Sequence, residues 1–308
     1  RGAVRGTPPC LVSSARMLRT RVVTDPTVRV TRGTTSRARR SFDIAAYGYV
    51  NLLPVQNKRS LDPGDSKAMV AARRRFLEAG HYRPIADAVA AAVLDSTPPA
   101  QPLACLDAGC GEGYYLRRLA ADAAQPLALL GLDISKWAVQ AAAKRDLRDL
   151  FGNAGVCADA HAAWVVGSNA GLPVQPGTLD RVLCMFGFPV YAEFARVLRP
   201  GGELLQVDAG PDHLRELRAV IYPSLKPERS GERPPPPGFA VLGSDRLRFM
   251  IGLDGRDTIA DLLAMTPHLH RATAEGRARA AALTAIELSV DVLITRFVRC
   301  SGTRSPAA

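Results

Sequence analysis

This 308-residue sequence predicts an α/β protein built on a doubly wound, mostly parallel sheet with an antiparallel edge strand and a helical N-terminal segment. Three observations predict it. The apolar run Leu103 to Leu106 leads into Asp107-Ala108-Gly109-Cys110-Gly111-Glu112-Gly113, so that a strand meets a glycine turn and the start of a helix. Apolar runs and helical stretches then alternate regularly, the pattern of a parallel sheet with helices on its faces. Late in the chain, Arg246 to Leu253 and Ile286 to Val298 alternate as strands, the second long and well placed to close the sheet edge.

Residues 1–40 hold ten arginines, no lysine and one acid, Asp25, which accounts for +9 of the formal net charge of +11. They have neither helical nor strand periodicity and are expected to form a disordered tail. Arginine-rich, acid-poor composition also suits an organelle transit peptide. The rest of the chain carries only about +2, which does not support a domain-wide basic field. Lys58-Arg59 and Arg73-Arg74-Arg75 remain as local patches, either phosphate contacts or solvated helix faces.

From Ser41 the chain turns apolar through Phe42 to Leu53, followed by a polar loop through Pro63-Gly64-Asp65. Ser66 to Ala79 reads as a helix, with a polar cap, with Met69, Val70, Arg73, Phe76 and Leu77 at helical spacing, and with Gly80 as its stop. A second helix runs from Pro84 to Leu94, its proline suited to the first turn. Pro98-Pro99 leads onward, so residues 41–98 form a helical segment and 99–300 the sheet domain. Strands are expected near 103–107, 127–132, 163–166, 180–185 and 202–208, with helices at 113–123, 135–150 and 191–199. Arg199-Pro200-Gly201-Gly202 supplies a turn before the fifth strand. Pro211 to Tyr222 is another helix, and residues 226–239, with Pro234 to Pro237, form a stiff exposed connection. Thr258 to Met265 and Thr273 to Leu283 are helical, and 301–308 is a disordered tail.

Apolar residues make up 47% of the chain, and no run approaches the roughly 18 needed for a membrane span, so no membrane partner is expected. The six cysteines have no C-x-x-C spacing and read as the reduced thiols of a cytoplasmic protein.

The glycine turn brings bare backbone against a ligand, because glycine has no Cβ to hold it off. A dinucleotide fingerprint would read G-x-G-x-x-G. Here the third glycine comes one residue early and Tyr114 stands where glycine or alanine is wanted, which disfavours a nicotinamide dehydrogenase. The pattern D-x-G-x-G-x-G, with Asp107, Gly109, Gly111 and Gly113, resembles motif I of S-adenosylmethionine-dependent methyltransferases. A second apolar run, Gln125 to Leu132, ends in Asp133, either a ribose-binding acid or the N-cap of the next helix. The stretch Gly167-Ser168-Asn169-Ala170-Gly171 resembles the loop that edges the adenine in that enzyme class, with Ser168 where many members are acidic. Three loops at the carboxyl ends of three strands would thus converge on one crevice.

A more specific resemblance covers about residues 41–300. Gly48 to Gln56, Asp62 to Ser66, Ala79-Gly80-His81-Tyr82, Gly111 to Tyr115, Gly131 to Lys136 and Gly210-Pro211-Asp212-His213-Leu214 are similar to the bacterial 23S ribosomal RNA (guanine-N1-)-methyltransferases. The resemblance implies a class I, Rossmann-like methyltransferase fold and methyl transfer to a guanine N1 in a 23S rRNA hairpin loop. It also implies methyl-donor contacts at Tyr82, Gly111, Glu112 and His213. The family begins with a zinc module, yet residues 1–40 offer only Cys10, so zinc is not expected and a replaced or truncated N-terminus is. Guanine N1 carries a proton at neutral pH, and His213, Asp208 and His81 are candidates to take it on position alone. After the fourth strand the chain reads Phe186-Gly187-Phe188-Pro189, an apolar loop that stacks on a base or packs on the sheet. A small-molecule methyltransferase and an RNA-binding pseudo-methyltransferase are the rival readings, and a homodimer is left open.

Overall fold

The computed structural model describes residues 28–30, 40–53, 63–95, 102–152, 162–225 and 234–300. Most of the expected Arg-rich tail, Lys58-Arg59, Pro98-Pro99, residues 226–233 of the proline-rich connection and the 301–308 tail lie outside them. Ten strands are described: β1 (Val28–Val30), β2 (Arg40–Phe42), β3 (Tyr49–Asn51), β4 (Leu103–Ala108), β5 (Leu127–Asp133), β6 (Ala163–Val166), β7 (Leu179–Met185), β8 (Leu198–Ala209), β9 (Phe239–Asp254) and β10 (Ala285–Arg299). The helices are α1 (Lys67–Glu78), α2 (Arg83–Leu94), α3 (Tyr114–Asp122), α4 (Lys136–Gly152), α5 (Tyr191–Val197), α6 (Arg215–Ile221), α7 (Arg256–Met265), α8 (His268–Arg271) and α9 (Ala274–Ala282).

Eight strands form one sheet in the order β3-β6-β5-β4-β7-β8-β10-β9, with β3 to β8 parallel and both β10 pairings antiparallel. The mostly parallel α/β sheet is as expected, with antiparallel pairing at one side. The expectation that the last strand closes the edge needs correction. β10 lies between β8 and β9, and β9 is the edge. The alternation of each strand was readable, but strand order is set by pairing between distant segments.

The segment read as helical also supplies β3, which pairs in parallel with β6 (Tyr49 with Trp164, Val50 with Val165) and adds an eighth strand. The expectation of disorder is corrected at Val28–Val30, which forms a strand and pairs in parallel with Arg40–Phe42, where the expected tail ends.

β4 is buried along its whole length. Because side chains alternate between faces, Leu103 and Cys105 enter the core beneath α1, α2, α3 and α4, while Ala104, Leu106 and Ala108 enter the core shared with Phe194 and Val197 of α5. Helix ends follow local chemistry. Ser66 caps α1 by accepting from the Met69 N–H at 3.3 Å, and Gly80, at φ +86°, turns the chain after it. Thr273 caps α9 by accepting from the Gly276 N–H at 3.0 Å. The central strands thereby deliver their carboxyl ends, with Asp107, Asp133 and the loops that follow, to one side of the sheet.

Candidate active site

The glycine loop after β4 is held open by its backbone. Gly109, Gly111 and Gly113 all have positive φ (+102°, +54° and +84°), a region that L side chains enter only with strain. The N–H groups of Gly109 and Cys110 donate to the Leu132 carbonyl at 2.8 and 3.0 Å, which fastens the loop to the end of β5. Gly113 begins α3 in the left-handed conformation, and a Cβ there would overlap the Trp164 ring. At Gly109 a Cβ would meet nothing within 4 Å, so this stretch of backbone faces open space.

Asp133 at the end of β5 ties the loop together. One carboxylate oxygen accepts from the Gly111 N–H at 2.9 Å and the other from the Ser135 N–H at 2.8 Å. The cap of α4 is Ser135, whose hydroxyl accepts from the Ala138 N–H at 3.2 Å and donates to the Asp65 carbonyl at 2.6 Å. Burial raises the Asp133 carboxyl above its ordinary value, and its two backbone hydrogen bonds oppose that shift. A carboxylate has about four lone-pair positions, so Asp133 keeps acceptor capacity toward the crevice.

Asp107 is fully buried and neither of its oxygens has a hydrogen-bond partner. Burial, and then the charge of Asp133, push its carboxyl up to about 8. Two further acceptors nearby are orphaned: Glu112 Oε1 and Asn169 Oδ1. Glu112, 2% exposed, pairs through its other oxygen with Arg117, which also donates to the Glu112 carbonyl at 2.6 Å. Asn169 donates to the Ala108 carbonyl at 3.4 Å and so leans over the loop, while the Ser168 hydroxyl accepts from the Ala170 N–H at 3.2 Å. Buried acceptors without partners are costly. Four such oxygens on three residues around one stretch of bare backbone are suited to a ligand rich in donors.

Beyond the sheet's carboxyl ends, Tyr82 and His213 meet beside Phe186. Tyr82 precedes α2, His213 follows β8, and the Tyr82 hydroxyl lies 3.2 Å from His213 Nε2. The Asp291 N–H donates to His213 Nδ1 at 3.3 Å. Burial lowers the imidazole to about 4, so the ring is neutral near pH 7. With Nδ1 accepting, the ring proton resides on Nε2 and is donated to Tyr82. The hydroxyl proton of Tyr82 is then left to donate elsewhere. His213, already engaged at both nitrogens, is a poor proton acceptor. His81 stacks on Phe76 at 4.7 Å between ring centroids, and burial lowers its basicity. Asp208, near the end of β8, accepts from the Gln206 amide at 2.7 Å, and Gln206 in turn accepts from the Tyr191 hydroxyl at 2.9 Å.

Arg73 stood at helical spacing and Asp65 in the polar loop before the helix, but their joint role at the glycine loop had no local signal. Arg73 pairs with Asp65, donates to the Met265 carbonyl at 3.1 Å, and packs 3.7 Å from where a Gly111 Cβ would stand. A Cβ on Gly64 would lie 2.8 Å from Ile134, so this arm closes tightly on the end of β5. Arg75 pairs with Asp261. Two arginines of the 73–75 patch are therefore paired with carboxylates of the chain, Arg73 partly buried and Arg75 at the surface. The four described cysteines are free thiols, and burial pushes Cys184 up to about 12, an unreactive value. Among the described residues no group of three or more His, Cys, Asp or Glu side chains could hold a metal ion. No described helix is long and apolar enough to cross a membrane.

A family model described as "Methyltransferase domain" matches residues 105–202, and another described as "RlmA, N-terminal" matches residues 25–61. The second match begins ahead of Ser41, and its span contains no cysteine or histidine. The chain is 34% identical over 230 residues to the 23S rRNA (guanine(748)-N(1))-methyltransferase of Streptomyces fradiae, covering 74% of this chain and 76% of that one. It is 30% identical over 259 residues to the putative 23S rRNA (guanine-N(1)-)-methyltransferase YxjB of Bacillus subtilis, covering 82% and 86%. A putative 23S rRNA (guanine-N(1)-)-methyltransferase of Micromonospora griseorubida is 38% identical over 192 residues, covering 58% and 60%.

Proposed function

The chain belongs to the 23S rRNA (guanine-N1-)-methyltransferase family, and from that premise we propose that it moves a methyl group from S-adenosylmethionine to N1 of a guanine in a 23S rRNA hairpin loop. The observation that carries the cofactor part is the set of orphaned buried acceptors, Asp107, Glu112 and Asn169, around backbone that nothing covers at Gly109. The donor set fits. The methyl donor brings an ammonium, a sulfonium, two ribose hydroxyls and an adenine amine, all cations or hydrogen-bond donors, and one carboxylate.

In this reading Glu112 Oε1 accepts from the ammonium, and Asp107, protonated near pH 7 in the free protein, ionises beside the bound cation and adds negative charge beneath the loop. The remaining lone pairs of Asp133 take the ribose hydroxyls, and Ser168 and Asn169 edge the adenine. The free hydroxyl proton of Tyr82 meets the carboxylate, with His213 holding its orientation. Gly109, Gly111 and Gly113 let the donor lie against bare backbone. When bound, the donor supplies an electrophilic methyl whose leaving group is a neutral thioether, so the chain has little to do for the leaving group. Its tasks are positioning and exclusion of water.

The N1 proton of guanine needs an acceptor as the new N–C bond forms. We assign that role to Asp208, since His213 and His81 are both made weakly basic by burial. Gln206, steadied by Tyr191, orients the carboxylate. Zinc has no assigned place in this scheme.

Calorimetric titration tests the cofactor half. S-adenosylmethionine and its demethylated product should both bind, and Tyr82→Phe, which also takes the partner from the buried His213 N–H, should weaken the donor roughly ten-fold and lower the melting temperature by a few degrees with the protein still folded. No heat with either ligand on folded protein would refute this reading.

A further inference from the structure

We infer that the β7–α5 loop, Phe186-Gly187-Phe188-Pro189, is the platform for the acceptor base, with Phe188 stacking on an extruded guanine. The inference rests on the proposed function and deepens it by naming what grips the substrate.

Placement comes first. The loop leaves the carboxyl end of β7, the strand beside β4, and a Cβ on Gly187 would lie 3.8 Å from the Ala108 carbonyl. That carbonyl immediately precedes the glycine loop and also receives the Asn169 amide. The Phe loop therefore borders the proposed methyl-donor site.

Conformation comes second. Phe186 has φ +51°, one of two non-glycine residues with positive φ among those described. A bulky aromatic in the left-handed region is a strained feature that persists only when its surroundings impose it. Here the Phe186 N–H donates to the Val207 carbonyl at 2.8 Å, which pins the turn. The Phe186 ring lies 6.3 Å from Tyr82 and 5.7 Å from His213, between ring centroids. Phe188, two residues on, is 88% exposed.

Chemistry comes third. A single exposed phenylalanine elsewhere would need no explanation. This one stands on a strained turn beside the proposed donor site, in a loop without a polar side chain. Such a loop cannot read a base edge by hydrogen bonding. It can offer a π-face, and enzymes that act on a base within RNA take it out of its stack and hold it between aromatic or apolar groups. Guanine presents a broad π-surface for this, and its N1 edge would remain directed at Asp208.

The test uses Phe188→Ala, Phe188→Leu and Phe188→Trp in the full chain. Methylation kcat/KM on 23S rRNA hairpin transcripts, donor affinity by calorimetry and melting temperature are measured for each. Stacking predicts a roughly ten- to hundred-fold loss of kcat/KM in Phe188→Ala, a comparable loss in Phe188→Leu, and retained activity in Phe188→Trp. Donor affinity and melting temperature should stay at parental values. Wild-type kcat/KM in Phe188→Ala overturns the proposal. Full activity in Phe188→Leu also overturns it, since apolar bulk alone would then suffice. If the parent protein methylates no transcript, the functional reading fails, and stacking is decided separately by fluorescence of Phe188→Trp. Quenching of the added indole by the hairpin RNA supports the platform, and emission unchanged at saturating RNA contradicts it.

Discussion

Asp107 is the residue at which stability and function pull apart. Its carboxyl sits near 8 in the folded protein, raised mainly by burial, against an ordinary value near 4 in the unfolded chain. Below pH 4 both states are protonated and there is no cost. As pH rises from about 4 to about 8 the unfolded chain releases a proton that the folded protein retains, so stability falls across that window. Asp107→Asn removes this term. The variant should melt at least about 2 °C above the parent at pH 8, with the difference closing toward pH 4. Its donor affinity should fall roughly ten-fold or more above about pH 8, where Asp107 is ionised, because an amide cannot supply that negative charge, and by less at lower pH, where ionising the acid on binding costs free energy. A lower melting temperature at pH 8 would mean that Asp107 is paired in the folded state. Sequence spacing picked out Asp107, Asp133 and the three glycines, because these residue types are required by the local turn. It offered ribose binding or a helix cap for Asp133. The structure shows a third role, holding the Gly111 N–H, and gives the cap to Ser135. The left-handed turn at Phe186 had no sequence signature, since the chemistry that normally announces positive φ is glycine or asparagine.

At the scale of elements, β4, the glycine loop and α3 act as one unit locked by Trp164. A Cβ on Gly113 would overlap that ring, and Trp164 Nε1 donates to Asp146 of α4 at 2.8 Å, which restricts how far the ring can yield. Gly113→Ala should therefore destabilise the fold by about 1–3 kcal/mol in chemical denaturation, from strain and overlap together. Gly109→Ala meets no neighbour, so it should cost about 1–2 kcal/mol from backbone strain alone, yet weaken the methyl donor more than Gly113→Ala does. Equal effects of the two on donor binding would contradict the assignment of Gly109 to the exposed face of the loop. Helices and central strands were legible in the sequence because their periodicities are local. The three-residue β3 was not, because it is too short to show alternation. The insertion of β10 between β8 and β9 was not legible either, since its register is set by partners far away in sequence. The approach of the Asp65–Arg73 pair to Gly111 was not legible for the same reason, although Arg73 itself stood at helical spacing.

Over the whole molecule, charge and cofactor logic diverge between the two parts of the chain. The formal positive charge is concentrated in residues 1–40, whereas the proposed donor site is acidic, with Asp107, Glu112 and Asp133 grouped at the carboxyl ends of β4 and β5. The match to the N-terminal model over residues 25–61 brings no cysteine or histidine with it. Elemental analysis of this chain, purified without chelator, should accordingly find well under one zinc per protein. One equivalent, resistant to dialysis, would place ligands that this account does not assign. The family, the crevice and the Phe188 loop make one further demand: methyl groups must arrive on guanine N1, which blocks Watson–Crick pairing. The most direct measurement is reverse transcription across 23S rRNA transcripts after incubation with the protein and S-adenosylmethionine. The account predicts a donor-dependent stop at a guanine in a hairpin loop, lost when Asp208→Asn replaces the parent. Donor bound but no guanine-specific stop on any transcript would contradict it.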